Sequence, residues 1–92
     1  MIIAFTITER HIAVGTRNDA IGCPAAVALS ECLGPTIGVR VYPYRLDFGG
    51  RPCAIPADLA AWVRAYDQDE YVAPASFTVD TDRPREDWGA RR

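Results

Sequence analysis

Residues 2 to 8 alternate, with Ile3, Phe5 and Ile7 on one side and Ile2, Ala4, Thr6 and Thr8 on the other. A period of two predicts a strand with one buried face. Thr8 then stands where a helix N-cap belongs. Glu9 and Arg10 open a short helix, Ile12 and Ala13 turn inward, and Gly15 is expected to end it in the left-handed conformation. After the polar turn Thr16-Arg17-Asn18-Asp19, a second helix begins at Cys23-Pro24, because proline in the first turn sacrifices no hydrogen bond. It runs through Leu33 to Gly34-Pro35. Its body is apolar on nearly every side, which predicts a central helix and makes Cys32 a buried core thiol.

From Thr36 the pattern becomes β. Ile37, Val39 and Val41 alternate with Gly38 and Arg40, Tyr42-Pro43-Tyr44 turns the chain, and Arg45 to Phe48 leads into Gly49-Gly50, a favoured two-residue hairpin turn. A return strand over 51–55 carries Pro52, which confines it to a sheet edge. Pro56 opens a third helix with Leu59, Trp62, Val63 and Tyr66 on one stripe, and a last strand covers 75–79. The order β-α-α-β-β-(β)-α-β predicts a small single α+β domain, a mostly antiparallel sheet of four to five strands with about three helices, spanning residues 1–80. Residues 81–92 hold many charges and one large apolar residue, Trp88, and read as a flexible C-terminal tail.

Composition narrows the chemistry. All ten basic residues are arginine, so no lysine is present for a Schiff base, a phosphate loop or a Ser-Lys dyad. Twelve acidic residues bring the net charge to −2, which argues against a duplex-binding module and makes nucleic acid an unexpected partner. Three cysteines without C-x-x-C spacing point to a reducing, cytoplasmic setting, and no apolar run is long enough to span a membrane.

Several constellations carry possible chemistry. Cys23 at a helix start, with its thiol pKa lowered there, pairs on paper with the single histidine, His11, as nucleophile and base. Against this, cysteine is commonly a structural core residue. His11, Cys23, Cys32 and Cys53 match a zinc ligand set in number but not in spacing, so no metal and no cofactor is expected. The acidic runs Asp67-Gln68-Asp69-Glu70 and Asp80-Thr81-Asp82 read as solvated segments. Arg17 and Asp19, beside the open N–H groups before Ala25, are a candidate anion pocket. Arg40, Tyr42, Tyr44, Arg45 and Arg51 mix arginine and aromatics in the way that single-stranded nucleic-acid platforms and protein hot spots both do, and Arg40, Tyr42 and Tyr44 share strand parity.

The run from His11 to Asp19, followed by Cys23-Pro24-Ala25-Ala26-Val27-Ala28-Leu29, resembles an H-I-x-x-G-x-R-x-D…C-P-x-A-x-A-L pattern of short uncharacterised proteins of actinobacterial phages and prophages. The likeness extends over most of residues 7–79. It implies no catalytic residues. It implies a small phage-type accessory protein, in the bacterial cytoplasm, that binds a host protein stoichiometrically and in some cases inhibits a defence system. The sequence therefore predicts a non-enzymatic binding protein with Tyr42, Tyr44, Arg45, Arg51, Arg17 and Asp19 as binding residues; a homodimer is compatible with this. A small-ligand or nucleotide-binding module and a thiol-dependent enzyme using Cys23 and His11 stay open as alternatives.

Overall fold

The computed structural model describes residues 2–34 and 36–82. Of the predicted tail 81–92, residues 83–92, with Trp88, lie outside the described residues. Within them the chain forms three helices and five strands, an α+β arrangement in the predicted order. The strands divide into two antiparallel sheets where one was expected.

The first sheet joins the two ends of the described chain: β1 (Ile2–Ile7) pairs with β5 (Ala75–Asp80), from Ile2↔Asp80 to Ile7↔Ala75. The alternation seen in the sequence is the burial pattern of the strand. Ile3, Phe5 and Ile7 point inward with Phe77 and Val79. Phe5 and Phe77 sit directly opposite each other, ring centroids 5.9 Å apart, and Trp62 meets Phe77 edge-on at 6.5 Å. The second sheet has the order β2 (Val39–Tyr42), β3 (Arg45–Phe48), β4 (Arg51–Cys53). Its inner face, formed by Val39, Val41, Leu46, Phe48 and Cys53, belongs to the same core. Gly49 and Gly50 have φ of 58° and 88°, the left-handed values that the tight turn between β3 and β4 requires.

Each rim of this sheet lacks one outward donor for a further strand. On β2, the Val41 N–H donates to the Ala20 carbonyl at 2.8 Å. On β4, Phe48↔Arg51 flanks the two-residue turn, so the central Pro52 directs its donorless nitrogen outward.

Three helices close the core. Helix α1 (Glu9–Val14) is capped by Thr8, whose hydroxyl accepts from the His11 N–H. Helix α2 (Pro24–Leu33) buries Ala25, Ala26, Ala28 and Leu29, and its alanines let it lie close to β1 and β2. Helix α3 (Ala57–Asp67) buries Leu59, Val63 and Tyr66, and Trp62 Nε1 donates to the Ala73 carbonyl at 2.9 Å, folding the following segment back onto the helix.

Two sequence expectations fail here. Gly15 has φ −74° and is extended; glycine is required for space, because a Cβ at this position would lie 2.6 Å from Cδ of Pro24. Cys32 is exposed, while Cys23 and Cys53 are buried, and all three are free thiols. Cys32 lies seven residues after Ala25 and four after Ala28, on the same azimuth as these buried side chains. Periodicity fixes that azimuth. It does not show that the last turn of the helix lacks a cover at that level.

Gly15→Ala should destabilise the fold by about 1–3 kcal/mol through this overlap with a backbone-anchored ring. Thermal denaturation would read it as a fall of at least about 4 °C in Tm, and an unchanged Tm would show that α1 and α2 can separate freely. In native protein a thiol reagent should modify Cys32 quickly, and Cys23 and Cys53 only after denaturant is added.

Candidate functional site

The outer face of the second sheet gathers the aromatic and basic side chains. Residues directly opposite in an antiparallel pair share a face, so Arg40↔Asp47 and Tyr42↔Arg45 place all four on the side away from the core. Tyr42 ends β2, and the next two residues make the turn into β3, so Tyr44 leaves the strand. Its ring nevertheless returns to stack on Tyr42, centroids 5.5 Å apart with 24° between planes. The Arg45 guanidinium lies 4.4 Å from the Tyr42 centroid and 5.6 Å from that of Tyr44. Asp47 holds it from the other side, accepting from Nε at 3.0 Å and Nη2 at 3.2 Å. The Asp47 hydrogen bond raises the Arg45 pKa, so the charge is permanent. Arg64 of α3 anchors the turn by donating from Nη1 to the Pro43 carbonyl at 3.3 Å.

Tyr42, Tyr44 and Arg45 are thus one cluster, held by contacts within the chain. Tyr44 is 56% exposed, while Tyr42 and Arg45 are half-buried beneath it. Arg51 does not join them. It pairs with Phe48 at the opposite end of β3, in the row that faces the core, and projects from the rim. Asp47 and Arg64 were not identified from the sequence as site residues. The signal for Asp47 was present: residues two apart on a strand share a face, so Arg45-x-Asp47 encodes a same-face ion pair. Arg64 reaches the cluster through tertiary packing alone.

Arg17 and Asp19 serve the fold. Arg17 donates to Asp69 and lies 5.4 Å from the Tyr66 centroid. Asp19 Oδ1 accepts from the N–H groups of Ile21 and Gly22, each at 3.0 Å. Asp67 accepts from the Asn18 N–H at 2.9 Å, so the acidic run expected to be solvated binds the loop after α1 to the end of α3.

Cys23 and His11 have different partners. Cys23 stands at the N-cap of α2, where the N–H groups lower a thiol pKa, but burial outweighs them and pushes the Cys23 thiol up. The sequence expectation was the reverse. Cys53 is also raised by burial, and its Sγ donates to the Thr81 carbonyl at 3.1 Å. His11 is buried, and its Nδ1 accepts from the Thr8 N–H at 2.9 Å, completing a capping box in which histidine fills the place usual for glutamate. Nε2 therefore carries the proton, and it donates to Glu31 Oε1 at 2.8 Å. Arg10 completes the group by donating to Glu31 Oε2 at 2.8 Å. With Nδ1 bound to the backbone and Nε2 bound to Glu31, neither ring nitrogen is free to deprotonate a nucleophile. Among the described residues, no group of three or more His, Cys, Asp or Glu side chains is arranged to hold a metal ion, and no helix is long and apolar enough to cross a membrane.

The His11 hydrogen bond, followed by the Arg10 bond, lowers the Glu31 pKa. A carboxyl with a depressed folded-state pKa adds stability above its unfolded value of about 4.3 and loses it as pH falls through the folded value. The stability difference between wild type and Glu31→Gln should accordingly shrink as pH falls from about 4.3 through the folded value. Urea titrations over that acidic range would measure it, and a difference that stayed level there would show that the Glu31 carboxylate adds no stability. Comparison with protein-family models, curated proteins and solved structures finds no match, so the functional reading rests on the side chains of this chain.

Proposed function

We propose that the protein acts by stoichiometric binding of another protein through the outer face of the β2–β3–β4 sheet, and not by turnover. The observation that carries this reading is the Tyr42–Tyr44–Arg45 cluster fixed by Asp47. Tyrosine and arginine are the residue types most enriched at energetic centres of interfaces. Here their rotamers are already ordered, so binding forfeits little side-chain entropy. In the setting implied by the phage-type sequence pattern, the partner is a host protein. The geometry around His11 supports the non-enzymatic reading, since both its nitrogens are engaged in structural bonds.

A photoreactive benzophenone side chain at position 44, and separately at position 71, tests the reading in lysate of the native host. Tyr71 is 89% exposed and lies after α3, which makes it a control for non-specific capture. The expected result is one discrete adduct from position 44 and none from position 71. Unlabelled wild type should compete it away, while Tyr44→Ala should compete about 10- to 30-fold less well, the loss of roughly 1.4–2 kcal/mol expected of an interface centre. Equal capture from both positions, or competition unaffected by Tyr44→Ala, would overturn the proposal.

A further inference from the structure

The strand edges of the two sheets are not equally guarded. On the second sheet, Val41 gives its outward N–H to the Ala20 carbonyl and β4 carries Pro52. Residues Ala54 to Ala57, Pro56 among them, border β5 and line one cleft with its Thr78 and Val79. β1 has no such device. It holds no charge, proline or glycine, and its register with β5 runs from Ile2 to Ile7 without a bulge.

Burial settles which backbone groups of β1 point away from β5. Phe5 and Ile7 are 4% and 0% exposed, and among the described residues their backbone has no partner besides β5. Buried N–H and C=O groups are paired, so Ile3↔Val79, Phe5↔Phe77 and Ile7↔Ala75 are the hydrogen-bonded pairs of the ladder. In an antiparallel sheet these alternate with pairs whose groups turn outward, here those of Ile2, Ala4 and Thr6. Thr8 has the same parity, and its N–H goes to His11 Nδ1 and not to β5. All three outward residues are exposed, Ile2 at 70%, and among the described residues nothing bonds to their outward groups. An uncharged strand thus carries a row of open donors and acceptors at the surface.

We propose that the protein forms a two-fold dimer in which β1 pairs antiparallel with β1 of a second copy, making one four-stranded sheet in the order β5–β1–β1–β5. The open row fits itself. With the axis at Ala4, Ile2 lies opposite Thr6 of the second copy, Ala4 opposite Ala4 and Thr6 opposite Ile2, so every outward group is used, in about six hydrogen bonds. A two-fold axis sets a strand against its own charges, and β1 has none to repel. A charged partner strand would find nothing on β1 to select it. A six-residue edge is about 20 Å long. That matches the smaller, transient class of interface, below about 1,200 Å² in total, so the dimer dissociates in the micromolar to millimolar range. The surface shares no residue with the Tyr42–Tyr44–Arg45 cluster, of which the dimer carries two copies.

Sedimentation equilibrium and amide NMR of the whole chain, from about 10 µM to about 1 mM, test this. The expected result is a monomer–dimer equilibrium with concentration-dependent shifts at the amides of Ile2, Ala4 and Thr6. In a mixture of isotope-labelled and unlabelled chains, filtered NOE spectra should join the α-protons of Ile3 and Phe5 between copies, because a non-hydrogen-bonded pair brings them close. Ala4→Lys sets like charges against each other on the axis, and Ala4→Pro removes an outward donor that β5 does not use. Each should raise the dissociation constant by at least about tenfold while amide dispersion stays native. Should a substitution disturb the fold, the contacts between wild-type copies decide alone. A monomer at every concentration, contacts at another surface or in another register, growth beyond the dimer, or a dimer indifferent to both folded variants would refute the pairing.

Discussion

β1 and β5 pair along their full length and so tie the first described residues to the last. Everything between them is held in a closed loop, whose entropic cost rises only with the logarithm of its length and is met by the contacts the closure creates. Those contacts are specific. Phe5 and Phe77 face each other across the pair, Trp62 of α3 meets Phe77 from the side, and α2 lies on β1 with alanines at the closest approach. The second sheet reaches the same core only through its inner face. In a domain this small, position in the core is assigned by that pairing, and the outer face of the three-stranded sheet carries the half-buried Tyr42, Arg45 and Asp47.

That face is ordered by its own side chains. Hydrogen bonds from Asp47 fix the arginine, the arginine fixes two aromatic rings, and Arg64 secures the turn that separates them. Each of these bonds is modest in water. Together they remove conformations from side chains that would otherwise move freely in water.

Local sequence signals were reliable where one residue type has one physical reason to be present. The alternation of β1, the cap at Thr8, the proline at the start of α2 and the double glycine after Phe48 all stand in the structure as their chemistry dictates. The failures share a different cause. Cys32 has the azimuth of a core residue yet is exposed in the last turn of its helix, and Gly15 is present because of Pro24, which only the folded chain brings near. The single expected sheet became two because strand patterning gives no information on which strands pair. At the site, Tyr42, Tyr44 and Arg45 were legible as a local cluster, whereas Arg51, close in sequence, left by the opposite end of the hairpin. Arg17 and Asp19 looked available because their partners, Asp69 and Tyr66 for Arg17 and the loop's own N–H groups for Asp19, cannot be seen from composition.

The composition of β1 gives its pairing a second meaning. Ile-Ile-Ala-Phe-Thr-Ile contains no charge, no proline and no glycine, and a six-residue segment of that kind stacks readily with copies of itself into a dry cross-β zipper. While β5 is hydrogen-bonded to it, the segment has one side occupied and its apolar face inside the core. Detachment of β5 uncovers both at once. Pairing with β5 therefore also withholds one edge of this segment from self-association, and substitutions that loosen residues 75–80 would release it.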